Sequence, residues 1–175
     1  MMKQTQSIKY SDINLLFWFA YACTGKTERS AVNVWKDQYE EVCKWLKKKN
    51  YKIHCYTDAE DCVSFTGRTV FINSRNHPET KYYTLLHECG HILIDDNAGR
   101  FQKDVPMYAR SSDGRTARGK AYRVSAVAEE LEAWKRGRRL ALRLNHFVDD
   151  QKYDKHITEN VMSYIEWAAE GGGNV

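Results

Sequence analysis

Residues His87-Glu88-Cys89-Gly90-His91 place two imidazoles four positions apart, with a carboxylate directly after the first. On a helix, positions i and i+4 share a face, so the two rings point the same way with Cβ atoms roughly 6 Å apart. Two neutral imidazoles held like this can both reach one divalent ion at about 2.0–2.1 Å, the Zn–N distance. Glu88 is rotated off that line and can stand beside a metal-bound water instead of ligating. Metal, water and a carboxylate to take the water's proton are the parts of a zinc hydrolase.

The neighbouring residues support a helix here. Arg68-Thr69-Val70-Phe71-Ile72-Asn73 is β-branched and aromatic and reads as a strand. Ser74 to Glu79 supplies a turn, a cap at Asn76 or His77, and proline in the first helical turn. From there Tyr82, Leu85, Leu86, Cys89, Ile92 and Leu93 recur at three- and four-residue steps, a buried stripe with His87 and His91 beside it. Gly90 costs about 1 kcal/mol relative to alanine inside a helix, and close approach by another backbone would explain it.

Two histidines do not close a catalytic zinc site, which takes three protein ligands plus water. The other histidines are His54, His77, His146 and His156, none at a short spacing after His91. A second helix, about Arg123 to Leu144, offers Glu129, Glu130 and Glu132. Glu130 lies on the i−3/i+4 row between Val127 and Trp134 and can face inward with them, whereas Glu132 is rotated away and Glu129 further still.

The residues Gly67 to His91 resemble the ImmA/IrrE family of metallopeptidases. The shared pattern is a strand ending in Ile72-Asn73, the Pro78-Glu79 turn, and Tyr83-Thr84-Leu85-Leu86-His87-Glu88-Cys89-Gly90-His91. Family members follow with a helix carrying Glu-x-Glu-Ala, here Glu130-Leu131-Glu132-Ala133. Trp134 stands where the family commonly has asparagine, and Cys89 where leucine is common. The resemblance implies that Glu130 is the third metal ligand after His87 and His91, with Zn2+ as the metal and Glu88 as general base. It also implies an α+β, zincin-like metallopeptidase domain: a small three-stranded sheet packed with about five helices. The implied substrate is a protein, of the transcriptional-repressor kind.

Length and composition fit that picture. A chain of 175 residues suits one domain, expected over residues 1–170 with a frayed glycine tail at 171–175. Five cysteines (Cys23, Cys43, Cys55, Cys62, Cys89) without paired spacing read as free thiols of a cytoplasmic protein. The apolar run Ile13 to Cys23, capped by Ser11, reads as a core helix; Asp12 and Asn14 argue against a signal segment, and it is too short to span a bilayer. A helix over Ser30–Lys49 should bury Val34, Trp35, Val42, Trp45 and Leu46. Strands follow at about Tyr51–Tyr56, Cys62–Phe65 and Thr69–Asn73, the last two joined by a tight hairpin at Thr66-Gly67. A final helix should cover His156–Ala169, using Ile157, Val161, Tyr164, Ile165 and Ala168. The strand Thr69–Asn73 has a second expected use, as an edge that pairs with extended substrate, with Val70 and Ile72 towards the core and Phe71 and Asn73 towards cleft or solvent.

Residues Gly99 to Arg143 hold 12 Lys and Arg against 5 Asp and Glu. Such a stretch can dock an acidic protein segment or a phosphate backbone, or simply be a solvated insertion. Its few aromatics, Phe101, Tyr108 and Tyr122, weaken the nucleic-acid reading. Tyr108, Tyr122 or a loop arginine are the candidates for stabilising an oxyanion opposite the metal. Two rival functions stand beside the peptidase: a zinc-bearing regulator that binds a partner with little catalysis, and a basic nucleic-acid-binding protein with a structural metal.

Overall fold

A computed structural model describes residues 28–58, 60–106 and 119–170. The expected helix at 13–23, Tyr108, most of the basic loop and the glycine tail lie outside them. Five helices and one sheet follow in the order α1 (Glu28–Lys48), β1 (Lys52–Tyr56), β2 (Cys62–Ser64), β3 (Thr69–Asn73), α2 (Pro78–Asp95), α3 (Ala98–Asp104), α4 (Lys120–Arg143) and α5 (Asp150–Glu170). This is the expected α+β arrangement.

Helix α2 is the centre of the molecule. His77 caps it by accepting the Glu79 N–H at 3.3 Å, and Pro78 takes the first position, where its missing N–H costs nothing. Instead of one apolar stripe, nearly the whole circumference from Tyr82 to Ile92 is buried, the mark of a core helix. Trp35, Val42 and Leu46 of α1, Val70 and Ile72 of β3, and Trp134 and Leu140 of α4 close around it.

Both long helices flanking α2 end in the same way. Asn50 and Asn145 take left-handed φ values of 61° and 57°. The amide after each asparagine then reaches back: Tyr51 N–H to Leu46 O at 3.0 Å, and His146 N–H to Ala141 O at 2.9 Å. Asparagine tolerates this conformation and so stops α1 and α4 sharply.

The sheet order is β1-β3-β2, with β1 parallel and β2 antiparallel to β3. β3 is therefore the central strand, and the expectation that it offers a free edge is overturned. Its two neighbours use its backbone groups on both sides at Thr69–Phe71. The expected facing holds: Val70 and Ile72 are fully buried, Phe71 and Asn73 only half-buried. The hairpin is a four-residue turn, Phe65–Arg68, not a two-residue one, because Ser64 Oγ accepts the Gly67 N–H at 3.2 Å. Arg68 takes the left-handed position (φ 45°), its guanidinium held by Lys49 O at 2.6 Å.

Two helices depart from expectation. Helix α3 occupies part of the supposed loop after Gly99, anchored by buried Phe101 against Ile94 and Ala133. Helix α5 begins six residues earlier than His156, since Asp149 Oδ1 accepts the Lys152 N–H at 3.1 Å and Tyr153, fully buried, anchors the added turn. Among the described residues no helix is long and apolar enough to cross a membrane.

Candidate metal centre

Helices α2 and α4 run antiparallel, with Gly90 against Ala133 and Gly137 against Leu86. That contact brings Glu130 to the two histidines. Glu130 Oε2 is 3.2 Å from His87 Nε2, Glu130 Oε1 is 3.5 Å from His91 Nε2, and the two Nε2 atoms are 3.2 Å apart. Metal–ligand bonds of about 2.0–2.1 Å in a tetrahedron put the ligand atoms about 3.3–3.4 Å apart. The two Nε2 atoms, and the carboxylate oxygen facing each of them, lie close to that spacing, and among the described residues His87, His91 and Glu130 form the one cluster able to hold a metal ion. A nitrogen–nitrogen–oxygen donor set of this kind suits zinc.

The electrostatics also favour a cation at this point. Burial alone pulls the His91 imidazole down, but hydrogen bonds to Glu129 and Glu130 and the Glu130 and Glu88 charges raise it to about 10. Burial pushes the Glu130 carboxyl up, and hydrogen bonds to His87 and His91 outweigh it and bring it to about 2. Glu88 is 4 % exposed, with Oε1 3.9 Å from His87 Nε2. Burial raises its pKa, partly offset by the histidines.

Three further groups shape the site. Glu129, expected to point away, has Oε1 3.2 Å from His91 Nδ1. A carboxylate at that nitrogen holds its N–H and leaves Nε2 free to ligate. The row argument fails because an imidazole is wide and its Nδ1 faces the adjacent row, within reach of a long side chain. Trp134 stacks on the His87 ring, centroids 4.3 Å apart and planes at 25°, and so fixes it by packing. His87 Nδ1 is buried without a hydrogen-bond partner, so the two histidines are held by different means. Asp61 accepts the Asn73 N–H at 2.6 Å, tying the segment before β2 to the end of β3, within electrostatic reach of His87. Glu132 turns away to Arg136 at 2.9 Å, as expected.

Tyr164 of α5 is half-buried within electrostatic reach of the Glu130 carboxylate. Burial, then the Glu130 charge, pushes this phenol up, so it stays a donor. The sequence pattern marked it only as a member of the apolar stripe of the last helix. Of the residues expected to stabilise an oxyanion, Tyr108 lies outside the described residues, and Tyr122 sits two turns before Glu130 on α4.

The basic charge of α4's second half is largely committed within the fold. Arg136 pairs with Glu132 and donates to Leu93 O at 2.5 Å, Arg138 pairs with Asp154, and Arg139 lies 3.5 Å from Glu132. The four described cysteines, Cys43, Cys55, Cys62 and Cys89, are free thiols.

The orienting role of Glu129 has a direct test. Glu129→Gln should lower zinc affinity by roughly 10- to 100-fold, the usual cost of losing a carboxylate behind a ligating histidine. Competition against a chelating dye measures this, and an unchanged affinity would remove Glu129 from the site.

Comparison with known proteins places this geometry in a family. The profile Peptidase_M78, described as the IrrE N-terminal-like domain, matches residues 37–133, more than half of the chain. The match spans α2 and reaches Glu130. No curated protein and no solved structure matches the chain.

Proposed function

The chain belongs to the Peptidase_M78 family of IrrE N-terminal-like domains, and from that premise we propose that it is a zinc metalloendopeptidase. His87, His91 and Glu130 hold the metal, and Glu88 is the general base. The observation that carries this reading is the convergence of two imidazole nitrogens and the Glu130 carboxylate at separations a single ion can bridge, with the buried Glu88 beside them.

A zinc ion held by these residues would supply Lewis acidity, polarising a carbonyl and lowering the pKa of a water towards about 7. Glu88 accepts the proton of the attacking water and later gives it to the leaving amine. Its raised pKa suits both halves of that task, since a carboxyl that holds a proton more firmly than usual can also carry it to the leaving amine. Glu129 and Trp134 keep the two imidazoles aimed at one point, so no reorganisation precedes binding.

With β3 internal, the sheet's edges are β1 and β2, and the proposed place for an extended protein substrate is along β2, which Asp61 precedes. The proposed target is a regulatory protein of the transcriptional-repressor kind. Free thiols at all four described cysteines fit a reducing compartment such as the cytoplasm.

Purified protein should carry about one equivalent of zinc, as a preformed three-ligand site requires, and His91→Ala or Glu130→Ala should lose it. A search for new protein termini in cells should then reveal a substrate shortened by the wild type and left whole by the variants. A wild-type protein that binds no zinc would refute this function.

A further inference from the structure

Leu93 and Glu132 each follow a metal ligand by two residues, about 200° of helical turn, so both face away from the metal centre. On that reverse side of the α2–α4 pair lies an open groove of about 680 Å³, closed on one flank by α3. Glu132, Arg136, Arg139 and Arg143 line it from α4, at steps of four, three and four residues on one helix face. Arg100 and Asp104 line it from α3. Four guanidinium groups therefore surround the groove against two carboxylates. Arg136 is fixed: it pairs with Glu132 at 2.9 Å, donates to Leu93 O at 2.5 Å and lies over the Phe101 ring. The other three are freer. Arg139 is 3.5 Å from the same Glu132, with its side chain 61 % exposed. Arg100 and Arg143 are exposed and have no ion pair among the described residues.

We infer that this groove is a docking site for an acidic, partly apolar segment of a protein partner, separate from the metal centre. Arg139 and Arg143, four residues apart on one face, repel each other, and Arg100 adds a third positive charge from the facing helix. Carboxylates entering the groove relieve that repulsion, and the planar guanidinium fork takes a carboxylate through two parallel hydrogen bonds. Leu93 and Leu142, the latter 39 % exposed, give the groove apolar surface beside the charges for an apolar side chain of the same segment. Two features favour a peptide over a nucleic acid. No aromatic side chain among the described residues lines the groove, so it offers no platform for base stacking. Asp104 and Glu132 repel phosphates, but they accept N–H groups, which a peptide backbone supplies and a phosphodiester backbone lacks. None of these residues belongs to the metal centre, so the inference stands apart from the metallopeptidase reading.

The test uses the full chain carrying Glu88→Gln, so that the probe stays whole. A fluorescein-labelled peptide of Glu-Leu-Asp-Gly repeats should bind, as read by fluorescence polarisation, and its affinity should fall as salt is raised. The Gln-Leu-Asn-Gly counterpart should bind far more weakly. Arg100→Gln with Arg143→Gln should reduce affinity for the acidic peptide about fivefold, the loss of two exposed charge contacts. Lys36→Gln with Arg75→Gln removes the same net charge at exposed positions outside the groove and should change it by less than about twofold. Leu142→Glu, also exposed, brings a negative charge into the groove and should weaken binding too. All five positions are on the surface, so melting temperatures should hold. Absence of binding would overturn the proposal. Equal losses in the two double variants would do the same, by reducing the effect to net charge. Tighter binding of oligothymidylate than of the acidic peptide, lost with the same two arginines, would overturn it in favour of a nucleic-acid groove.

Discussion

Glu88→Gln is expected to leave zinc bound and the fold intact while reducing cleavage by about 10²- to 10⁴-fold, the range attributed to a positioned acid–base group. Glutamine keeps the shape and hydrogen-bonding reach of glutamate but cannot accept a proton. None of the three ligand atoms is touched, so metal content should not change. Stability should not fall either. Glu88 is buried and its pKa is raised, which means that its ionised form is the costly one in the fold. A neutral amide carries no such cost, and the melting temperature should stay level or rise.

The same shift sets the direction of a pH effect. A group with a raised folded pKa loses its proton later as pH rises, so Glu88 becomes a competent base only above the ordinary carboxylate range. The acid limb of kcat/KM should lie there, and the Glu88→Gln variant should show no such limb in its residual rate. Cleavage that survives in the variant would move the base elsewhere, Asp61 being a further carboxylate within electrostatic reach of His87. Survival of the full biological effect without cleavage would favour a zinc-bearing regulator.

Much of the site was readable from spacing alone because a helix converts sequence separation into direction. Four residues between His87 and His91, and the Val127–Glu130–Trp134 row, each define a face, and the resemblance paired the two faces. Gly90 signalled its role by being a poor helix former in a strong helix. What escaped were relations between elements that no single period encodes. Hydrophobic alternation in Thr69–Asn73 shows which side is buried but not which strands lie to either side, so the central position of β3 was hidden. Glu129 was missed because a row argument tracks Cβ directions and ignores the width of the ring it meets. The early start of α5 was masked by the polar run Asp149-Asp150-Gln151-Lys152, in which Asp149 is a cap and Tyr153 the first buried anchor. Tyr164 fits the apolar stripe of α5, a pattern that does not reveal its nearness to the Glu130 charge. An amphipathic residue on a core face is ambiguous until its polar end is located.

The largest structural effect should come from a single methyl group at Gly90. A Cβ there would lie 1.9 Å from Ala133 O, 2.6 Å from Ala133 C and 2.8 Å from Ala133 Cα. In an exposed helix the exchange of glycine for alanine gains about 1 kcal/mol, so any loss is the packing term exceeding that gain. Overfilled cores typically cost 1–3 kcal/mol because side chains can shift. Here the obstacle is the backbone of a second helix, and Gly90→Ala should cost about 3–5 kcal/mol or prevent folding. Thermal or urea unfolding measures this. Gly99→Ala is the control: nothing lies within 4 Å of its added carbon, and stability should stay within about 1 kcal/mol. Gly137→Ala, with Leu86 O at 2.5 Å, should fall between them. The effect should extend to the metal, since Gly90 lies between the two histidines and faces the helix that carries Glu130. Forcing α2 and α4 apart lengthens the His87–Glu130 and His91–Glu130 separations, and any folded Gly90→Ala protein should bind zinc more weakly than Gly99→Ala. Because the clash is with carbonyl and not side chain, Ala133→Gly should fail to rescue it. Rescue by that second change, or a Gly90→Ala protein as stable as the control, would show that the two backbones are not in contact, and the convergence of the ligands would need another cause.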